Sequence, residues 1–328
     1  MEEQKLSFED KIIELQERGT DIYTMEDCID DMLYDLDKGK EKGSTTFIEG
    51  LDNAWTWRMG EFNIWTGYTN EGKSQWLRYL SLVKALGQHS RNDDWNFSFY
   101  APEDYPAKEF FDDIIHTASG QSTDKENMNF IGKINYKHIY SQLKNYFFFN
   151  YIRPPKNSIT EVLKSFIPLI EEKNVKVCVI DPLIKVARPA KYINADDKYA
   201  MYITTICTDF ARQYNISLHL VMHQLTPRIQ ENNLYPRPSV YNIKGGGTWA
   251  DGTDNILILQ RPMYASDKKD DEVLFASQKI KKQKLVGIPQ DFKIRFNRKT
   301  NRYIDFNTGK DLFDFNKMLR SSQIKLTF

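Results

Sequence analysis

Residues 67–74 read GYTNEGKS, and no other stretch constrains the fold as tightly. Gly67, four residues, then Gly72-Lys73-Ser74 satisfies the pattern G-x-x-x-x-G-K-[ST]. The pattern has meaning only in one setting, with a strand before it and a helix after it. Phe62, Ile64 and Trp65 in the preceding GEFNIWTG are apolar and β-prone. Trp76, Leu77, Leu80 and Val83 follow at helical spacing, with Gly87 as a stop. In that setting the backbone N–H groups of the loop turn inward around an anion, and the helix aims its positive end at the same point. The candidate phosphate-binding segment is Gly67, Tyr68, Thr69, Asn70, Glu71, Gly72, Lys73, Ser74 and Gln75. Lys73 would reach the β/γ-phosphates of a nucleotide, and the Ser74 hydroxyl would ligate Mg²⁺. The expected cofactors are therefore ATP and Mg²⁺.

The rest of the chain fits an α/β architecture. Strand-like runs at 95–104, 145–152, 175–183, 216–225, 254–262 and 272–280 alternate with helical patterns at 105–120, 158–174 and 198–215. Residues 290–306 read as a hairpin. Such alternation implies a mostly parallel twisted sheet with helices on both faces. The helix at 158–174 is expected to break or kink near Pro168.

Residues 1–44 are a short helical N-terminal arm and linker by pattern. Ser7 with Asp10, and Thr24 with Asp27, resemble capping pairs. Phe8, Ile12 and Leu15, then Met25, Ile29, Met32 and Leu36, recur on one face. The arm folds either on its own core or on a neighbouring subunit. DKGKEKGS at 37–44 has the composition of a hinge. Residues 45–306 form the main domain, and 307–328 form a tail with no assignable role.

Charge gives no direction. The 45 basic and 45 acidic residues cancel, so any nucleic-acid contact must come from local patches. Cys28, Cys178 and Cys207 show neither disulfide nor zinc spacing. There is no apolar run of membrane length and no visible signal peptide. A cytoplasmic compartment, in a bacterial cell or a phage-infected host, is the expectation.

Several polar residues end strands, where ligands gather in parallel sheets. Asp181 closes the apolar run VKVCVI, as a carboxylate holding Mg²⁺ beside Ser74 would. Glu103 ends FSFYAPED and is the candidate general base, with Asp104 as a competitor. His223 and Gln224 end ISLHLVMHQL and could sense the γ-phosphate, although a satisfied interior polar group reads the same way.

In this order the motifs resemble the ATPase domain of DnaB-type replicative helicases and the related phage primase-helicases and Twinkle. The resemblance spans about 45–306. It rests on TTFIEGLDNAWTWRMGEFNIWTGYTNEGKS, FSFYAPED, VKVCVIDPL, ISLHLVMHQL and GGGTWADGTDNILILQR. It implies a RecA-like fold, a homo-oligomeric ring of usually six subunits, and ATP-driven translocation on single-stranded DNA. It makes Glu103 the catalytic glutamate and Gln224 the sensor, and it puts Arg261 near the nucleotide base. It also implies a separate primase, because only about 40 helical residues precede the domain.

The family's trans-acting finger is a Lys-x-Arg pair. Here Lys282-Gln283-Lys284 stands in its place. RecA-type recombinases carry Lys-x-Lys there, so a filament-forming DNA-dependent ATPase is an alternative reading, and a non-translocating nucleotide switch or helicase loader is another. In RecA-like rings two loops line the central channel. The first, 184–194, has Lys185, Arg188 and Lys191 with no acid among them; the second, 226–247, has Arg228, Arg237 and Lys244. These six are the candidate DNA contacts, holding phosphates without reading bases.

Overall fold

The computed structural model describes residues 22–225, 227–230, 234–243 and 245–321. The chain divides into two units, residues 1–42 and 43–328. The first, where described, holds one helix, Ile29–Lys38, with Asp30 and Asp31 in its first turn and Lys38 in its last. That distribution complements the helix dipole. Just ahead of it Thr24 and Asp27 bond reciprocally, Thr24 N to Asp27 Oδ2 at 2.6 Å and Asp27 N to Thr24 Oγ1 at 3.3 Å. No residue of the helix is buried. The earlier expected helix, with Ser7, Asp10, Phe8, Ile12 and Leu15, lies outside the described residues.

In the second unit nine described strands make one sheet: β1 (Phe62–Gly67), β2 (Asn96–Tyr100), β3 (Phe147–Asn150), β4 (Val175–Ile180), β5 (Ser217–His223), β6 (Asn255–Gln260), β7 (Glu272–Ile280), β8 (Asp291–Asn297) and β9 (Arg302–Asp305). Their order is β3-β2-β4-β5-β1-β6-β7-β8-β9. The first six in that order pair parallel, and β7, β8 and β9 continue antiparallel. Parallel strands covered on both faces need apolar residues at every position, which is why VKVCVI and NILIL read as continuous runs. Alternation then sorts the side chains into two cores. Trp65, Val177, Val179 and Val221 join one. Phe62, Ile64, Cys178, Ile180, Leu218 and Leu220 join the other.

All six tryptophans are buried: Trp55, Trp57, Trp65, Trp76, Trp95 and Trp249. Trp55 packs on Trp57 at 4.8 Å and on Trp65 at 5.5 Å between ring centroids. The buried His219 accepts from Trp65 Nε1 at Nδ1, 2.8 Å away, and pairs with Ser217 Oγ at 2.9 Å. Burial holds the imidazole far below its usual range, so it is neutral.

One expectation changes, and two elements lie beyond the sequence reading. The helix Ile159–Lys173 runs unbroken through Pro168. Its start is fixed by Ser158 Oγ accepting from Glu161 N at 3.3 Å, and its apolar face remains buried through Phe166; packing outweighs the one backbone bond that proline removes. A helix absent from the sequence reading, Lys133–Leu143, forms beside Ala107–Ser119. In the described part of the tail, Phe313, Phe315 and Leu319 are buried in the main core, and Phe315–Ser321 is a helix.

Candidate nucleotide site

The glycine loop leaves β1 and enters the helix Lys73–His89, as the pattern requires. Gly67 has φ +149, and a Cβ there would lie 2.1 Å from the Leu259 carbonyl oxygen. Gly72 caps the helix with φ +87. Only glycine gives the chain both the conformation and the close approach to β6.

Inside the loop the side chains are wired to the backbone. Lys73 is buried and donates to the Tyr68 carbonyl at 2.6 Å. Burial draws its ammonium down to about 8, against the carboxylates of Glu71, Asp181 and Glu103 that favour the charge. Glu71 is buried and accepts from Tyr68 N at 3.1 Å; burial pushes its carboxyl up to about 7. Asp181, just past the end of β4, is buried too, and the nearby Ser74 hydroxyl favours its charged form. Its carboxyl rises to about 6 through burial. A hydroxyl and a desolvated carboxylate beside a lysine form an oxygen-donor set that suits a hard divalent cation bound together with phosphate. The residues present thus fit both expected groups; Ser74 and Asp181 are the pair that would hold the metal.

Glu103 sits on the turn Pro102–Asp104 directly after β2, half exposed, and acts electrostatically on both Lys73 and His223. Its neighbour Asp104 is engaged elsewhere: Arg78 Nη1 holds it at 2.7 Å, and Arg78 Nε approaches Asp113 at 3.3 Å. That pairing favours Glu103 over Asp104 as the group free to act on a phosphate or water. Arg78 itself was not singled out from sequence. Its signal was its place one turn after Ser74, on the face of the helix that meets the acidic turn.

β5 ends against the loop. Gln224 N donates to the Gly67 carbonyl at 3.1 Å, while Gln224 Nε2 donates to the Ser239 carbonyl at 2.9 Å. Gln224 Oε1 and His223 Nδ1 are buried without hydrogen-bond partners, and burial, then Lys73, lowers the imidazole of His223. Arg261, after β6, borders a cavity of about 180 Å³ with Asn70, Glu71, Gly72, Gln75, Phe296, Arg298 and Tyr303. Its guanidinium lies over Tyr264 at 4.4 Å and donates to the Lys268 and Asp270 carbonyls. Basic and aromatic groups at the flank of the loop offer a surface on which a planar ring can stack.

Both candidate DNA loops leave the same sheet edge, after β4 and β5. No acid lies within the first loop, yet carboxylates outside the loops pair with two of its basic residues and with one of the second. Lys185 pairs with Glu103 at 3.3 Å, Arg188 with Asp196 at 2.7 Å, and Arg237 with Asp291 at 2.5 Å. Lys191 lies over the Tyr192 ring at 4.9 Å. Arg228 is exposed. Lys244 lies outside the described residues. Lys282 and Lys284 are exposed and sit past β7, at the sheet edge away from the loop; Lys282 approaches Glu61 at 3.8 Å. Neither belongs to the site of its own chain.

No protein-family model matches the chain. A Twinkle homolog protein, chloroplastic/mitochondrial, of Arabidopsis thaliana is 23% identical over 304 residues. That stretch covers 87% of this chain and 40% of the relative, so the chain spans less than half the relative's length. Among solved structures, one ATPase domain superposes with a TM-score of 0.68 at 14% identity, covering 88% of this chain and 100% of that one. A DnaB-like replicative helicase, described together with its interactions with primase, gives 0.67 at 12% identity, covering 92% and 72%. The chain therefore has the RecA-like fold of DnaB-type helicase ATPase domains. No described helix is long and apolar enough to cross a membrane.

Proposed function

We propose that this chain is the ATP-hydrolysing motor of a replicative DNA helicase, working as a ring of usually six copies that moves along single-stranded DNA. One observation carries the reading. The loop Gly67–Ser74, Asp181, Glu103 and Gln224 meet at the edge of the sheet from which loops 184–194 and 226–247 also depart. A nucleotide and a DNA strand bound there would share elements.

In this reading the loop's backbone and Lys73 hold the phosphates. Ser74 and Asp181 hold Mg²⁺, which supplies charge neutralisation for phosphoryl transfer. The Glu103 carboxylate orients a water and takes its proton. Gln224 reports the γ-phosphate to the second loop through Ser239. Arg261 and its aromatic neighbours receive the base. Lys185, Arg188, Lys191, Arg228, Arg237 and Lys244 neutralise DNA phosphates. This requires the internally paired ones to exchange a carboxylate for a phosphate. Lys282 or Lys284 completes the site of an adjacent subunit, and a separate primase lays the primers.

The test is ATP hydrolysis with and without single-stranded DNA, and displacement of a labelled strand from a fork. Wild type should show DNA-stimulated turnover and unwinding, and Lys73→Ala neither. Equal turnover by Lys73→Ala would remove the phosphate-loop assignment. The Lys282/Lys284 pair favours a second reading, a filament that coats DNA; electron micrographs with an ATP analogue and single strand separate ring from filament.

A further inference from the structure

The phosphate loop touches the second DNA loop directly, through a residue whose side chain plays no part in holding phosphate. Tyr68, the first residue after Gly67, is 3% exposed. Its hydroxyl donates to the Pro236 carbonyl at 3.1 Å. Its ring meets the ring of Tyr235 at 5.5 Å, tilted by 59°. The other two polar groups of Tyr68 belong to the phosphate loop, its N–H to Glu71 and its carbonyl to Lys73. One residue thus joins the lysine that contacts phosphate to a loop 168 positions away.

We infer that Tyr68 is a positioning residue that transmits nucleotide occupancy to residues 235–243, along a line separate from Gln224. The chemistry is an exchange of partners. A polyphosphate competes with the Tyr68 carbonyl for the Lys73 ammonium, so the backbone at Tyr68 settles differently when the loop is loaded. The ring is tied through its hydroxyl to Pro236 and through its face to Tyr235, so the shift passes to them. The receiving segment is stiff enough to respond as a unit. Gln278 on β7 donates to the Pro238 carbonyl at 2.8 Å and accepts from Val240 N at 3.1 Å, and Gln224 holds Ser239. The two lines enter at different points, Tyr68 at 235–236 and Gln224 at 239.

The inference rests on the loop's being a nucleotide site, and the experiment keeps the two apart. Amide hydrogen exchange is followed in the full chain with and without Mg²⁺ and a non-hydrolysable ATP analogue. Protection of 67–75 reports occupancy, and the variants are compared at matched occupancy. In wild type, loading should slow exchange at Tyr235 and Arg237 by roughly 5-fold or more, the low end of ordinary coupling between sites. Tyr68→Phe, which loses only the hydroxyl, should remove more than half of that protection. Tyr235→Leu should do the same, whereas Gln224→Ala should spare 235–237 and lose protection at 239–240. Tyr68→Phe responding like wild type at equal occupancy overturns the inference, as does a wild-type loop that ignores a loaded site. Absence of protection at 67–75 itself sinks the nucleotide reading, and the inference with it.

Discussion

Two adjacent carboxylates, Glu103 and Asp104, differ in what surrounds them, and that difference sets their chemistry. Asp104 is committed to the largely buried Arg78, whereas the ion pair that Glu103 makes is with the half-exposed Lys185. Such exposed pairs are worth about 0–1 kcal/mol, so Glu103 is easily released. Glu103→Gln should bind Mg-ATP and hydrolyse it ~10²-fold more slowly, the usual cost of losing a general base. Asp104→Asn should instead lower thermal stability by loosening Arg78. A slow but stable Asp104→Asn, with an active Glu103→Gln, would reverse the assignment. Asp181 carries a pH signature. Burial raises its carboxyl to about 6, and burial lowers Lys73 to about 8. Below about 6 the protonated Asp181 cannot hold a cation, and above about 8 a neutral Lys73 loses its hold on phosphate. The ratio kcat/KM should therefore peak between those values; a flat profile would contradict it. Stability runs the opposite way for Asp181. A raised carboxyl contributes stability in full below its ordinary range near 4, and that contribution is lost as pH rises through about 6. At pH 8 Asp181→Asn should be more stable than wild type, by on the order of 2 kcal/mol, while inactive. A lower melting temperature for that variant would show that the charge is better compensated than its burial implies.

At the scale of elements, continuous apolar runs ending in a charged residue were legible because a strand covered on both faces needs every side chain apolar. The strand predicted at 272–280 is Glu272–Ile280, and the candidate residues at the ends of β1, β2, β4 and β5 stand at one edge of the sheet. What the sequence did not disclose is long-range. Glu103 against Lys185, and Asp291 against Arg237, come from elements far along the chain. Local composition cannot announce such partners. Lys133–Leu143 escaped notice because KINYKHIYSQL buries only Ile139 and Leu143, too few to mark a face. The helix Phe315–Ser321 was hidden in the same way, being short and flanked by charge. Its anchor is clear in three dimensions, with the Phe315 ring 5.7 Å from Tyr79 and the Arg302 guanidinium over it at 4.5 Å. Phe315→Ala should cost about 3–5 kcal/mol, read as a shift of the denaturation midpoint. A loss under about 1 kcal/mol would mean that the tail packs only loosely.

At the scale of the whole molecule, candidate residues stand at two opposite edges of the sheet. The glycine loop is at one, and Lys282 and Lys284 are near the other. If those lysines act on a neighbour, their loss should matter only in the assembled protein. Lys284→Ala and Lys73→Ala proteins should each be inactive, yet mixing them should restore some turnover. The restored interfaces join an intact loop from one variant to an intact Lys284 from the other. Lys284→Arg should equal or exceed wild type, since arginine adds a second parallel hydrogen bond to phosphate. A true finger is worth on the order of 10³-fold in rate. Single lysine variants at Lys282 and Lys284 that both keep the wild-type rate with DNA would discard the idea.

The placement of the tryptophans has an optical consequence. All six lie in the unit 43–328, none is more than 4% exposed, and the unit 1–42 contains none. Emission from the folded chain should be blue, with a long red shift on denaturation that belongs wholly to the larger unit. The arm is spectrally silent. A single tryptophan introduced at Tyr34, which is 65% exposed, would emit far to the red of the rest. Its colour, read against the six native indoles, would then report whether the arm is covered, and its dependence on protein concentration would tell a neighbouring chain from the same one.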